Sequence, residues 1–244
     1  MKATLDYILH LADNALILGQ RNAEWCGHGP VLEQDIAISN ISLDLIGQAR
    51  SFYQYAAELQ GNGSTEDTLA YLRHERQFRN ILLLEQPKSD WAYTTLRQFF
   101  FSAFQQLLFQ QLSTQADERI GAIAEKSLKE VNYHLRWSSE WVVRLGDGTE
   151  ESRRRLQQAL DDSWPFVNEM FQAENFELES GVRVEELQAA WTEKVKACLA
   201  EAGMEMPVTS LTRHGGKKGI HSEHLGYILA EMQYLQRSYP GCEW

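Results

Sequence analysis

The chain has 244 residues, with 23 Lys and Arg against 34 Asp and Glu, and a formal charge of −11; 43% of it is apolar and 23% charged. These values exclude global disorder, and the acidic balance argues against nucleic acid or an anionic membrane as the main partner. Five Pro and 16 Gly leave too little punctuation for a many-stranded β fold. No apolar run reaches the roughly 18–20 residues of a membrane span, and the stretch from Met1-Lys2-Ala3 lacks the apolar region of a secretion signal. Cys26, Cys198 and Cys242 match no zinc or redox spacing, so a reduced, cytoplasmic setting is expected.

Apolar residues recur at helical spacing along most of the chain. Leu5, Ile8, Ala12, Ala15 and Leu16 predict a first helix ending near Gly19. Pro30 suits the first turn of a second helix reaching about Gln60. That helix is apolar on several faces (Ile36, Ile38, Ile41, Leu43, Leu45, Ile46) and is expected to be central. A third helix is predicted over 66–86, closed by Pro87, with Tyr71, Glu75, Phe78 and Leu82 on one stripe. The fourth begins near Asp90 and carries Phe99, Phe100, Phe101, Phe104 and Phe109; the fifth runs over 117–145 and stops at Gly146-Asp147-Gly148. Thr149 is the predicted N-cap of a sixth, with Glu150 and Glu151 in its first turn and a kink at Pro165. Residues 175–183 read as a connection, 184–202 as a seventh helix, 203–219 as a break and 222–239 as the last helix. The pattern predicts one all-α domain over 1–244, a helical bundle with a C-terminal extension.

Several ionisable residues fall where a bundle helix should be apolar. Asp44 shares a face with Ile41, Gln48 and Phe52; Glu75 lies on the third stripe; Glu130 and His134 are four apart; Asp161 sits beside Leu160. A buried, unpaired carboxylate is costly, so such residues need partners or a metal. Inward acids on four long helices match the ferritin-like di-metal template, which takes Glu-x-x-His from two helices. Here those slots read Glu75-x-x-Phe78 and Asp161-x-x-Trp164, and neither aromatic offers a lone pair to a metal. Asp44, Glu75, Glu130, His134 and Asp161 are therefore expected to form a vestigial network without metal, charge meeting charge where a metal pair would stand. The alternative is that each acid is solvated or ion-paired on an ordinary amphipathic helix. His221 and His224, three apart, could chelate zinc, but no third ligand is evident, and a structural hydrogen-bonding role is the preferred reading.

Particular strings carry more than the statistics. They are Gln20-Arg21-x-x-Glu24-Trp25-Cys26-Gly27-His28-x-Pro30, Leu43-Asp44-Leu45-x-Gly47-Gln48-Ala49-Arg50, Glu75-Arg76-Gln77-Phe78-x-Asn80, Glu85-Gln86-Pro87, Glu130-x-x-Tyr133-His134-Leu135-Arg136 and Gly215-Gly216-Lys217-Lys218-Gly219-x-His221-x-Glu223-His224. Together, in this order, they closely resemble the C-subunit family of bacterial phenylacetyl-CoA epoxidases. The resemblance implies a ferritin-like fold and a non-catalytic scaffold role in phenylacetate catabolism. It implies a catalytic A subunit as partner, which holds the di-iron centre, together with the other subunits and reductase of the complex. No catalytic residue, metal or cofactor is expected in this chain itself. An acyl-CoA held with the partner's help needs cationic or amide contacts. Gln77, Phe78, Arg79 and Asn80 are assigned to these, with Leu178, Glu179 and Ser180 as a neighbouring rim. The competing readings are ordinary surface for both segments, and a self-sufficient ferritin-like di-iron oxidase for the chain.

Overall fold

The helix starts follow from capping chemistry. In the computed structural model, which describes residues 4–114 and 117–242, Thr4 accepts the Tyr7 N–H at the head of α1 (Leu5–Ala23). The N-terminal residues Met1, Lys2 and Ala3, on which the secretion-signal expectation rests, lie outside the described residues. α2 (Leu32–Gln60) ends on Gly61 in the left-handed region, where a side chain would be strained. Thr65 caps α3 (Glu66–Tyr71), and α4 (Leu82–Glu85) is a single turn. Asp90 caps α5 (Trp91–Leu112), Asp117 caps α6 (Glu118–Gly146), and Thr149 caps α7 (Glu150–Ser163) as the sequence predicts. Then follow α8 (Asn175–Glu179), α9 (Gln188–Glu201), α10 (Glu223–Met232) and α11 (Tyr234–Ser238). The described residues contain no strand, and the fold is all-α, of the ferritin-like helical class.

The chain divides into two compact units, one of residues 88–214 and one of residues 4–87 with 215–242. In the second, α1 and α2 form an antiparallel hairpin: Gly19 lies against Leu45 and Ile46, while Asp13 meets Tyr53. Ile8, Ile17, Ile38, Ile41, Leu45 and Phe52 fill the seam. In the unit of residues 88–214, α5 and α6 are likewise antiparallel, with Trp91 edge-on to Trp137 and Trp141 and Gln106 bonded to Asn132. The predicted phenylalanine stripe of α5 is core. Phe100 contacts Trp164 and Trp191, and the Trp191 indole N–H donates to the Phe100 carbonyl at 2.9 Å.

The structure corrects four expectations. The helix predicted over 66–86 is interrupted: Tyr71 ends α3, a 3-10 turn spans Glu75–Gln77, Phe78 is extended, and only Leu82–Glu85 returns to helix. Glu75, Phe78 and Leu82 therefore share no helical stripe. Ile36 and Leu43, read as interior, are exposed at 52% and 66%, because α2 buries only its Ile38/Ile41/Leu45 side. Residues 175–179, read as connection, form α8, whose first turn is held by a reciprocal Glu174/Glu177 capping box. The predicted kink at Pro165 is a change of helix type: α7 stops at Ser163 and a 3-10 stretch runs Trp164–Phe171, since proline cannot donate into an α-helical ladder.

Gly146, at the end of α6, lets the chain pass against Ala202; a Cβ there would overlap the Ala202 carbonyl. Gly146→Ala is expected to lower stability by about 1–3 kcal/mol, the usual range for overpacking. The denaturant midpoint should fall with an unchanged slope; an unchanged midpoint would refute the tight approach.

Candidate functional site

The densest buried chemistry lies in the unit of residues 4–87 and 215–242, along one face of α1. His10, Asp13, Asn14 and Arg21 recur at helical spacing and are all buried. Each holds backbone of the 73–85 segment. His10 Nδ1 donates to the Arg79 carbonyl at 2.7 Å, Asp13 accepts the Arg79 N–H at 2.8 Å, Asn14 accepts the Ile81 N–H at 2.9 Å, and Arg21 donates twice to the Glu85 carbonyl. Asp13 also accepts from the Tyr53 hydroxyl and pairs with Arg73, which reaches the Leu69 and Gln77 carbonyls. Burial opposes the Arg73 charge, but Asp13 and Tyr53 outweigh it and hold the guanidinium above its ordinary range. Burial, then the Asp13 charge, pushes Tyr53 well up, so it stays a donor.

The C-terminal strap, residues 215–233, binds the same segment from its other end. The side chains of Glu85 and His221 are both fully buried and meet at 2.7 Å. Glu85 also accepts the Ser222 N–H and the Asn80 amide, and Arg79 and Gln233 donate to the Lys217, Ala70 and Arg73 carbonyls. The structural role expected of His221 is the one this geometry gives; the pairing with Glu85 was not visible in the sequence. A string of polar residues inside an otherwise apolar α1 was the available signal for the rest.

The four acids and one imidazole expected as a vestigial network sit in unlike environments. Glu75 is exposed in its 3-10 turn, and Asp161 is exposed on α7, where it accepts from Gln157 at 3.0 Å. Asp44 and Glu130 are half-buried, and His134 is fully buried on α6. The two aromatics of the Glu75-x-x-Phe78 and Asp161-x-x-Trp164 strings are packing residues. Phe78 lies under the Arg73 guanidinium, 4.2 Å from the ring centroid, and Trp164 packs on Phe100 and Trp191. Among the described residues no three His, Cys, Asp or Glu side chains are grouped so as to hold a metal. Neither Phe78 nor Trp164 offers a lone pair to a metal.

Of the residues assigned to acyl-CoA, Gln77 is exposed and Arg79 half-buried, its guanidinium shared between Asp6 and the Lys217 carbonyl. Both line a cleft of about 460 Å³ with Arg73, Arg76 and Asp6. Phe78 and Asn80 are buried. In the other unit Leu178 and Glu179 are exposed, while Ser180 is buried and donates to the Phe176 carbonyl at 2.6 Å. The Cys198 thiol is pushed up to about 12 by burial and the nearby Glu201 charge, which removes it as a nucleophile at neutral pH.

The family model for the phenylacetic acid catabolic protein matches residues 1–244. The chain belongs to that family. It is 50% identical over 243 residues to the C subunit of the 1,2-phenylacetyl-CoA epoxidase of Escherichia coli (strain K12), the match covering 98% of each chain. Membership fixes phenylacetate catabolism as the setting. No helix among the described residues is long and apolar enough to cross a membrane.

Asp13→Ala should destabilise the protein by about 3–5 kcal/mol, because it strands the buried Arg73 charge. Glu75→Ala and Asp161→Ala, both on the surface, should each stay within about 0.5 kcal/mol of the parent. Urea unfolding of the three variants checks the contrast; equal losses at all three would show that buried pairing is not what holds the segment.

Proposed function

We propose that this chain is the non-catalytic scaffold subunit of a multicomponent phenylacetyl-CoA epoxidase, working in the cytoplasm beside a catalytic partner that holds the di-iron centre and a reductase that supplies electrons. The observation that carries this reading is 50% identity to the C subunit of such an epoxidase over 98% of both chains. The side-chain chemistry is compatible with it: the aromatics of the Glu75-x-x-Phe78 and Asp161-x-x-Trp164 strings give no lone pair to a metal, and both are spent on packing. The surface supports it too. Leu32, Ile36 and Leu43 are exposed along α2 at spacings of four and seven, which makes one apolar stripe of the kind that a helical partner covers.

Size-exclusion chromatography with the di-iron partner tests the scaffold role. A single co-eluting complex, burying more than the roughly 1,600 Å² of a standard interface, is the expected result; separate peaks at micromolar concentration would end it. Ile36→Glu and Leu43→Glu should leave the isolated fold intact and weaken the complex at least tenfold. The isolated chain supplied with reductase and reductant should not turn over phenylacetyl-CoA. Turnover, or stoichiometric iron in the purified chain, would favour the self-sufficient oxidase.

The same reading gives Gln77 and Arg79 an auxiliary contact to the CoA phosphates or amides, from the arginine-lined cleft. Gln77→Ala in the assembled enzyme should raise KM for phenylacetyl-CoA several-fold with kcat nearly unchanged, the mark of lost uniform binding. An unchanged KM would remove this contact and leave the scaffold role standing.

A further inference from the structure

His221 is enclosed by acceptors. Its Nδ1 faces the Glu85 carboxylate at 2.7 Å and its Nε2 faces the Phe78 carbonyl at 2.9 Å. A neutral imidazole carries one N–H and a charged one carries two, so only the imidazolium satisfies both contacts with Glu85 ionised. His10, in the same unit, is the contrast: its Nδ1 donates to the Arg79 carbonyl while its Nε2 accepts from the Asn14 amide, which is the pattern of a neutral ring.

The charged groups that act on His221 are Glu85 from α4 and Asp13 from α1; Arg21 from α1, Arg73 and Arg79 from the 72–81 segment, and Lys217 and His224 from the C-terminal residues belong to the same hydrogen-bonded cluster. Arg21 and Arg73 are each engaged by an acid or a carbonyl of their own. The strap lies close on its seat: a Cβ at Gly216 would overlap the Asn80 carbonyl, and one at Gly219 the Arg76 carbonyl.

We propose that the His221 imidazolium, sealed between Glu85 and the Phe78 carbonyl, is a pH-dependent latch that holds residues 215–222 on α4 and the 72–81 segment. Burial by itself favours the neutral ring, but the hydrogen bond and charge of Glu85, aided by the Phe78 carbonyl, outweigh it and raise His221 above its ordinary 6.5. A raised folded-state value fixes the sign. The latch is at full strength below pH 6.5, weakens as pH climbs from there through the folded-state value, and is gone above it. Docking of the strap is therefore tightest on the acidic side of neutrality.

Hydrogen exchange of the full chain between about pH 5.5 and 9 tests this, with protection corrected for intrinsic exchange rates. In the parent, protection of the 216–222 amides should fall by up to about tenfold per pH unit above about pH 6.5 and then level off. In His221→Gln it should stay at the low plateau throughout. Flat protection in the parent, or the same slope in His221→Gln, overturns the latch. If His221→Gln fails to fold, a ¹⁵N-histidine NMR titration of the parent decides. Followed across about pH 5.5 to 9, one imidazolium that persists after the exposed rings have lost their protons supports the latch, and loss of charge by all 7 histidines together overturns it.

Discussion

One constraint shapes the unit of residues 4–87 and 215–242: the backbone of residues 73–85 must be satisfied without being a helix. A chain in an irregular path loses its ladder bonds, and buried amides left unpaired are costly. α1 supplies the missing partners from a single polar face, His10, Asp13, Asn14 and Arg21, spaced three, one and seven apart. The strap supplies more, His221 to the Phe78 carbonyl and Gln233 to the Arg73 carbonyl. The segment is thus held between an N-terminal helix and a C-terminal strap, and neither end of the chain is dispensable to it.

The same constraint explains why charge is buried at all. Among the described residues of this unit the two fully buried carboxylates are Asp13 and Glu85. Each accepts at least one backbone N–H and pairs with a cation, Asp13 with Arg73 and Glu85 with His221. A buried ion pair by itself is weak support for a fold. A pair whose remaining acceptor sites are filled by backbone donors also fixes a path for the chain, and two such pairs fix its two ends. His10 and His221 show how local the control is. Burial, with the Lys217 charge, keeps one ring neutral, near a pKa of about 3, while a carboxylate charges the other.

Most helices were legible in the sequence because they obey local rules. Thr4, Asp90, Asp117 and Thr149 cap, Gly61 terminates, Pro165 interrupts, and the apolar spacing does the rest. Residues 72–81 were not legible. Their spacing fits a helix, and what overrides it is contact with residues some 60 positions away, as in Asp13 with Arg73. The placement of Glu75 and Phe78 failed with the helix that carried it. His134 was correctly read as interior because α6 keeps its period; Ile36 and Leu43 were misread because hydropathy marks an apolar face without saying whether the same chain covers it. The polar face of α1 looked like ordinary amphipathicity, since a period of 3.6 is the same whether the stripe meets water or buried backbone.

The arrangement bears on what α2 can offer a partner. Its inner side, Ile38, Ile41, Leu45 and Phe52, is packed on α1, and Tyr53 is tied to Asp13 and Arg73. The helix therefore cannot roll to hide Leu32, Ile36 and Leu43 without breaking a buried hydrogen-bonded cluster. An apolar stripe on a freely turning helix would be expected to turn inward, because burying it is favourable by roughly 25 cal/mol per Å². The ion pair at the core of the unit prevents that turn and keeps the stripe outward and pre-ordered. Pre-ordered side chains lose less freedom on association. The buried network and the exposed stripe thus follow from one constraint: charge used inside to fix the chain leaves a rigid apolar surface outside for another chain to cover.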